Sequence, residues 1–219
     1  GADAPAAPAP SAPLVSVRAA PSSREGEDEV YGRELLTLGT RARRARGTLW
    51  HTWFEQLAWL DDAPDPRTLR DVARRRHAEF DDATLDQQLE HYGTCLGLPD
   101  VAARLRRPAE AVELWHERPF LLHLPGETGV PVLWRGSFDR VELFRDADGQ
   151  LVRAVILDLK TDDVGDASGA EQRAEVYAEQ LAAYARALGA MTGLPPASIR
   201  TQLLFLTAGA VVDLPRSDP

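Results

Sequence analysis

The chain has 219 residues, 44% hydrophobic and 27% charged, which is room for one well-buried core with an added lobe. A net charge of −9 argues against a generally basic nucleic-acid surface, although arginines cluster at Arg41, Arg43, Arg44 and Arg46, at Arg70, Arg74, Arg75 and Arg76, and at Arg104, Arg106 and Arg107. One cysteine, Cys95, excludes an internal disulfide and any four-cysteine zinc or iron–sulfur site within the chain, no apolar run is long enough to span a bilayer, and no secretory leader opens it, so the simplest expectation is a cytoplasmic location without membrane contact.

Residues 1–28 are rich in Ala, Pro and Ser and then turn acidic, the composition of an unstructured linker. Such a start suggests a chain cut from something longer. Helical signals begin near Glu29. Apolar residues on a helical period run from Leu49 to Leu60, with Thr48 placed to cap them. Two or three further helices are predicted over about 66–107, broken by Pro99 and Pro108. From there the texture is extended. Ala111–Leu124 reads as a strand, with Pro119 marking it as an edge or a bulge. Val130–Phe144 is rich in β-formers, Asp146-Ala147-Asp148-Gly149 reads as a hairpin turn, and Leu151–Lys160 is the returning strand. A helix over 170–191 carries Tyr177, Leu181, Tyr184 and Leu188 on one stripe and ends at Gly193. Ile199–Thr207 and Ala210–Leu214 close the chain as strands. Helices, three strands, a helix and a strand make a mixed α/β core.

Lys160 is the only lysine in the chain. Where arginine supplies every other cation, a retained lysine points to a task that a planar guanidinium performs poorly, such as handling a water or a proton. Side chains alternate along a strand, so Asp158 and Lys160 share one face while Val155, Leu157 and Leu159 take the other. If the Asp146–Gly149 turn makes the two strands neighbours, Asp139 can face Asp158. Two buried carboxylates that close repel one another unless a cation lies between them. A hard divalent ion such as Mg²⁺ suits such a pair, and Lys160 beside it completes a set suited to metal-assisted phosphodiester hydrolysis. The same residues also fit surface salt bridges on an ordinary hairpin.

Gly136-Ser137-Phe138-Asp139-Arg140-Val141, Ile156-Leu157-Asp158-Leu159-Lys160-Thr161 and Tyr177-Ala178-Glu179-Gln180-Leu181-Ala182-Ala183-Tyr184 resemble three successive motifs of the RecB-like nucleases, within the PD-(D/E)xK superfamily. Gly47-Thr48-Leu49-Trp50-His51 is similar to the family's upstream helix motif, and Glu117-Arg118-Pro119-Phe120 to the Glu-x-Pro-Phe of its first strand. The likeness is nearest to the C-terminal nuclease domain of AddA-type and UvrD-like helicase–nuclease subunits, and covers roughly residues 39–214.

The resemblance implies a restriction-endonuclease-like mixed sheet with an αβββαβ core, an extra N-terminal helical segment, and a nuclease domain over 29–219 that carries 61–107 as a helical insertion. It implies metal ligation by His51, Asp139, Asp158 and the backbone carbonyl of Leu159, with Mg²⁺ the expected ion and Mn²⁺ a substitute. Lys160 would position the attacking water, and Gln180 and Tyr184 would support the site and touch the DNA backbone. The implied role is DNA cleavage, on single strands fed by a helicase during double-strand break repair and recombination. No Gly-x-x-x-x-Gly-Lys-[Ser/Thr] loop is present, so a motor would lie upstream in the same polypeptide or in a partner subunit. Asp-Leu-Lys stands where the family usually has Asp-Tyr-Lys, and the four-cysteine iron–sulfur staple of some relatives is missing. A degenerate nuclease fold acting as a DNA-binding or docking platform is the second reading. Glu55 and Glu117 each fit either the site or solvent.

Overall fold

The computed structural model describes residues 16–19, 38–125 and 131–215. Its first strand, β1 (Ser16–Ala19), falls within the segment expected to be linker. Ser-Val-Arg-Ala lies parallel to Val132–Arg135, a short extended run within the surrounding Ala/Pro composition. The rest of 1–28 lies outside the described residues.

Helix α1 spans Leu38–Glu55, eleven residues earlier than the periodic stretch beginning at Leu49. Alternating Ala and Arg are strong helix formers and carry the helix back through Gly47. Thr48 is therefore not a cap: its hydroxyl donates back to the carbonyl of Arg44 at 3.0 Å, inside the helix. Helices α2 (Pro66–Arg76), α3 (Asp82–Leu96) and α4 (Pro99–Leu105) follow. Asp65 and Asp81 cap the first two through their side chains. Pro99 opens α4 at its first turn, where its missing N–H costs nothing.

Strands β2 (Val112–Pro125), β3 (Pro131–Arg145) and β4 (Leu151–Lys160) form an antiparallel meander. Gly149, at φ +79°, closes the β3–β4 turn. Helix α5 (Ala167–Thr192) crosses over, stops at left-handed Gly193, and returns the chain to β5 (Ile199–Phe205), parallel to β4. A short antiparallel β6 (Ala210–Asp213) ends the sheet. Strand order is β2-β3-β4-β5-β6, with β1 beside β3. Among the described residues β2 pairs with β3 alone, so Pro119 sits on an edge strand. The order α1-β2-β3-β4-α5-β5 is the αβββαβ core of a restriction-endonuclease-like fold.

The sheet separates two cores. Helix α5 covers one face through Tyr177, Leu181, Tyr184 and Leu188, against Phe138, Ile156, Leu203 and Phe205. On the other face, α1 to α4 pack together against Leu157, Leu159, Leu204 and Leu206. The aromatic helix is core: Trp50, Trp53, Phe54 and Trp59 are all buried, and Trp53 Nε1 donates to the carbonyl of Leu69 at 2.9 Å. The helices over 61–107 thus share a core with α1 and the sheet.

A fork in the sheet forms the candidate active site

Past a register shift at Arg145, strands β3 and β4 run in register from Phe144 down to Arg140, which pairs with Leu157. The next pair would be Asp139 with Asp158, but the ladder stops there. Asp139 instead turns its carboxylate to β4, where Oδ2 accepts from the amide of Leu159 at 2.8 Å. On the other side of β3, Glu117 of β2 stands opposite Asp139 and is also unpaired. Its φ of +41° makes it the one non-glycine left-handed residue among those described. The face-to-face alternation of both strands shifts at this step. Phe120, Leu122 and Phe138 lie on the α5 side before it, and Trp115, Val141 and Leu143 lie there after it. Left-handed backbone at a non-glycine residue is strain that surrounding structure must hold in place, and such strain collects at functional sites.

Helix α1 closes over this fork. A Cβ on Gly47 would meet Thr161 Oγ1 at 3.2 Å, so the helix lies tight against the end of β4. One turn on, His51 Nδ1 is 3.6 Å from Glu117 Oε1 and 3.7 Å from Asp139 Oδ2. Ligand atoms of His51, Glu117 and Asp139 all fall within 4.8 Å of one another. Asp158 and Lys160 sit beside them on β4, both buried. Lys160 Nζ is 2.9 Å from Asp158 Oδ2. That is an ion-pair distance, but the oxygen accepts no hydrogen bond of good geometry although it is fully enclosed.

The electrostatics follow from this packing. Burial drives the His51 imidazole toward its neutral form, but the charges of Asp139 and Glu117 prevail and hold its pKa at about 9. Burial raises Asp139, with His51 and the Leu159 amide working against it. Burial also raises Asp158, which Lys160 partly offsets and Asp139 reinforces, leaving it at about 6. Enclosed carboxylates pushed upward, one with an oxygen lacking a hydrogen bond, fit the place of a small hard cation. Two carboxylates and an imidazole are a suitable donor set for one.

Of the residues singled out in the sequence, His51, Asp139, Asp158 and Lys160 come together here. Leu159 is present through its amide; in an extended residue the carbonyl leaves the strand on the same side. Gln180 and Tyr184 lie on α5, 3% and 1% exposed. Gln180 Nε2 donates to Tyr184 Oη at 3.3 Å, and the Tyr184 ring packs on Phe120 and Phe138. Both lie in the core on the α5 side of the sheet. Glu117 joins the site, while Glu55 pairs with Arg76 instead. Tyr177, which in the sequence opens the third motif and belongs to the apolar stripe with no role of its own, lies with its ring centroid 4.0 Å from Lys160 Nζ.

A profile of the PD-(D/E)XK nuclease superfamily matches residues 28–216. The chain belongs to that superfamily. Within that range Asp158-Leu159-Lys160 has the Asp-or-Glu-x-Lys form that the superfamily's name carries. No curated protein gives a significant match. Members of a PD-(D/E)XK nuclease superfamily act on nucleic acid with divalent metals, and the His51–Glu117–Asp139 group could hold one. No helix among the described residues is long and apolar enough to cross a membrane.

Proposed function

We propose that the chain is a metal-dependent deoxyribonuclease, the nuclease module of a helicase–nuclease that processes DNA double-strand breaks in repair and recombination. The observation that carries the nuclease reading is the fork. Where β3 and β4 part, an imidazole, three carboxylates and the chain's one lysine meet beside strained backbone, with His51, Glu117 and Asp139 half-buried and Asp158 and Lys160 buried. His51, Glu117, Asp139 and Asp158, with the Leu159 carbonyl, would hold Mg²⁺, or Mn²⁺ in its place. When bound, such an ion supplies Lewis acidity to the scissile phosphate and acidifies a water. Lys160 orients the attacking water and donates to the phosphoryl oxygens as negative charge builds on them. Asp158 holds the ammonium, and Gln180 with Tyr184 supports the strand ends from below.

Single-stranded DNA, delivered by a helicase upstream in the polypeptide or in a partner subunit, is the proposed substrate. The five motif likenesses to AddA-type and UvrD-like subunits support that assignment, and a cytoplasmic location goes with it. The arginine cluster on α1, which ends beside the site, is the proposed path of the strand. Arg70 and Arg74 pair with Asp86 and Asp82, Arg76 with Glu55, Arg104 with Glu142 and Arg107 with Asp62. On α1, Arg44 is exposed, and Arg46 reaches the Thr161 carbonyl beside the site at 3.5 Å. Phosphates led along α1 would arrive at His51, and binding through them weakens steeply with salt.

The test is cleavage of labelled single-stranded DNA with Mg²⁺, set beside RNA of the same sequence, EDTA and an Asp158→Ala variant. Cutting of DNA that EDTA and Asp158→Ala both abolish is the expected result. Cutting that survives either overturns the site. Tight DNA binding without cutting by either protein establishes the platform reading in its place.

A further inference from the structure

The superfamily pattern ends at Lys160, and nothing in it says how that ammonium is aimed. On one side of it, Asp158 Oδ2 lies 2.9 Å from Nζ. On α5, the Tyr177 ring centroid lies 4.0 Å from Lys160 Nζ, within the range in which a ring face attracts a cation. The phenol is itself fixed. Its hydroxyl donates to the Asp162 carboxylate, 3.1 Å from Oδ2 and 3.3 Å from Oδ1. Arg173 pairs with Asp162 at 3.4 Å and reaches the same hydroxyl at 3.5 Å. Thr207 Oγ1 donates to the Asp162 carbonyl at 2.6 Å, so the anchor is tied to the end of β5 as well.

We propose that Tyr177 is a positioning residue for Lys160, a ring face that sets the ammonium over the fork and is held in place by Asp162 and Arg173. The inference deepens the nuclease reading and rests on it for its catalytic meaning. A phenol donating to a carboxylate carries more electron density in its ring than a free one, which strengthens its hold on a cation. Packing and charge on the α5 side therefore aim an amine used at the fork. The residue acts through Lys160 and touches no substrate. A guanidinium, planar and rigid, would stack on such a ring instead of standing its donors off it, which accounts for lysine at this one position.

The single lysine makes the test direct. Protein grown with lysine labelled with ¹³C at Cε gives one Cε–Hε NMR signal, and a ring face 4.0 Å from Nζ moves it upfield of the free amino acid's position. Tyr177→Leu should return the signal to the free position and lower kcat about tenfold, with KM and metal affinity unchanged. Tyr177→Phe keeps the ring but loses the Asp162 anchor, so its signal and kcat should fall between the two. Asp162→Asn should behave like Tyr177→Phe. A wild-type signal at the free amino acid's position overturns the inference even if the leucine variant fails to fold, and so does an equal loss of kcat in Phe and Leu variants. An upfield signal in a protein that cuts no DNA leaves the positioning standing and defeats the nuclease reading, so the two can fail separately.

Discussion

Replacing Arg140 with methionine tests whether the fork is held from beneath. Arg140 is fully buried on β3, next to Asp139. Its Nε donates to Glu142 Oε1 at 2.9 Å, Nη1 to the Leu57 carbonyl at 2.9 Å and Nη2 to the Ala58 carbonyl at 2.7 Å. The Trp59 ring centroid lies 4.5 Å from the guanidinium carbon. Leu57 and Ala58 follow directly on α1, so one side chain ties β3 to the end of the helix that carries His51. Methionine keeps most of the stem and removes every donor. Losing a buried ion-pair partner costs about 3–5 kcal/mol when it strands the other charge. Here Glu142 keeps Arg104, bonded at 2.9 and 3.0 Å, so the cost falls toward the lower end. The buried Leu57 carbonyl then goes unpaired, worth about 1–3 kcal/mol, whereas Ala58 is exposed and can turn to water. We expect Arg140→Met to destabilise by about 3 kcal/mol, read as a lower urea midpoint with unchanged slope in EDTA at neutral pH. Glu142→Gln should cost as much or more, because it leaves two guanidinium groups facing each other. A loss under about 1 kcal/mol for Arg140→Met would refute the tether.

Three further outcomes follow from the site. In the metal-free protein Asp158 titrates at about 6, above the ordinary carboxylate value, so folding favours its protonated form. Stability from this group is present at low pH and falls as pH climbs from about 4 through about 6, by up to about 3 kcal/mol, and Asp158→Asn should flatten that fall in melts across this window. His51, raised to about 9, contributes fully below its unfolded value near 6.5 and fades as pH rises through 9. A bound cation must displace that proton, so calorimetric affinity for Mn²⁺ should strengthen from pH 6 to 9; a flat profile removes His51 from the ligand set. At Glu117, the left-handed backbone favours glycine over any L side chain. Glu117→Gly should therefore be more stable than Glu117→Ala by about 1 kcal/mol, while both lose metal affinity; equal stabilities would show that the backbone carries no strain.

Most of the element order could be read in advance because each signal was local. Gly149 and Gly193 mark chain reversals by backbone freedom, the α5 stripe repeats on a helical period, and β4 alternates as a strand buried on both faces. Asp139, Asp158 and Lys160 could be found because lysine appears once and because the motifs stand in order. What escaped depends on partners far apart in the chain. Nothing in Thr48 reveals that helix formers upstream absorb it into α1. Glu117 fits the site or solvent equally well in the sequence, and only the broken ladder opposite Asp139 brings it to His51. Tyr177 sits on a stripe that packing alone explains, and its second task appears only when β4 ends beneath it. The burial of Gln180 and Tyr184 likewise follows from Phe120 and Phe138, contributed by other strands.

Gly47 carries a consequence out of proportion to its size. The 3.2 Å between its would-be Cβ and Thr161 Oγ1 means that a hydrogen atom is the spacer between α1 and the tip of β4. A methyl group there would act as a shim, lifting the helix and carrying its imidazole away from the carboxylates one turn further along. The reach of the whole centre is thus gauged by the smallest residue on the helix, and alanine at that position should loosen the grip on the ion while leaving every donor atom in the chain.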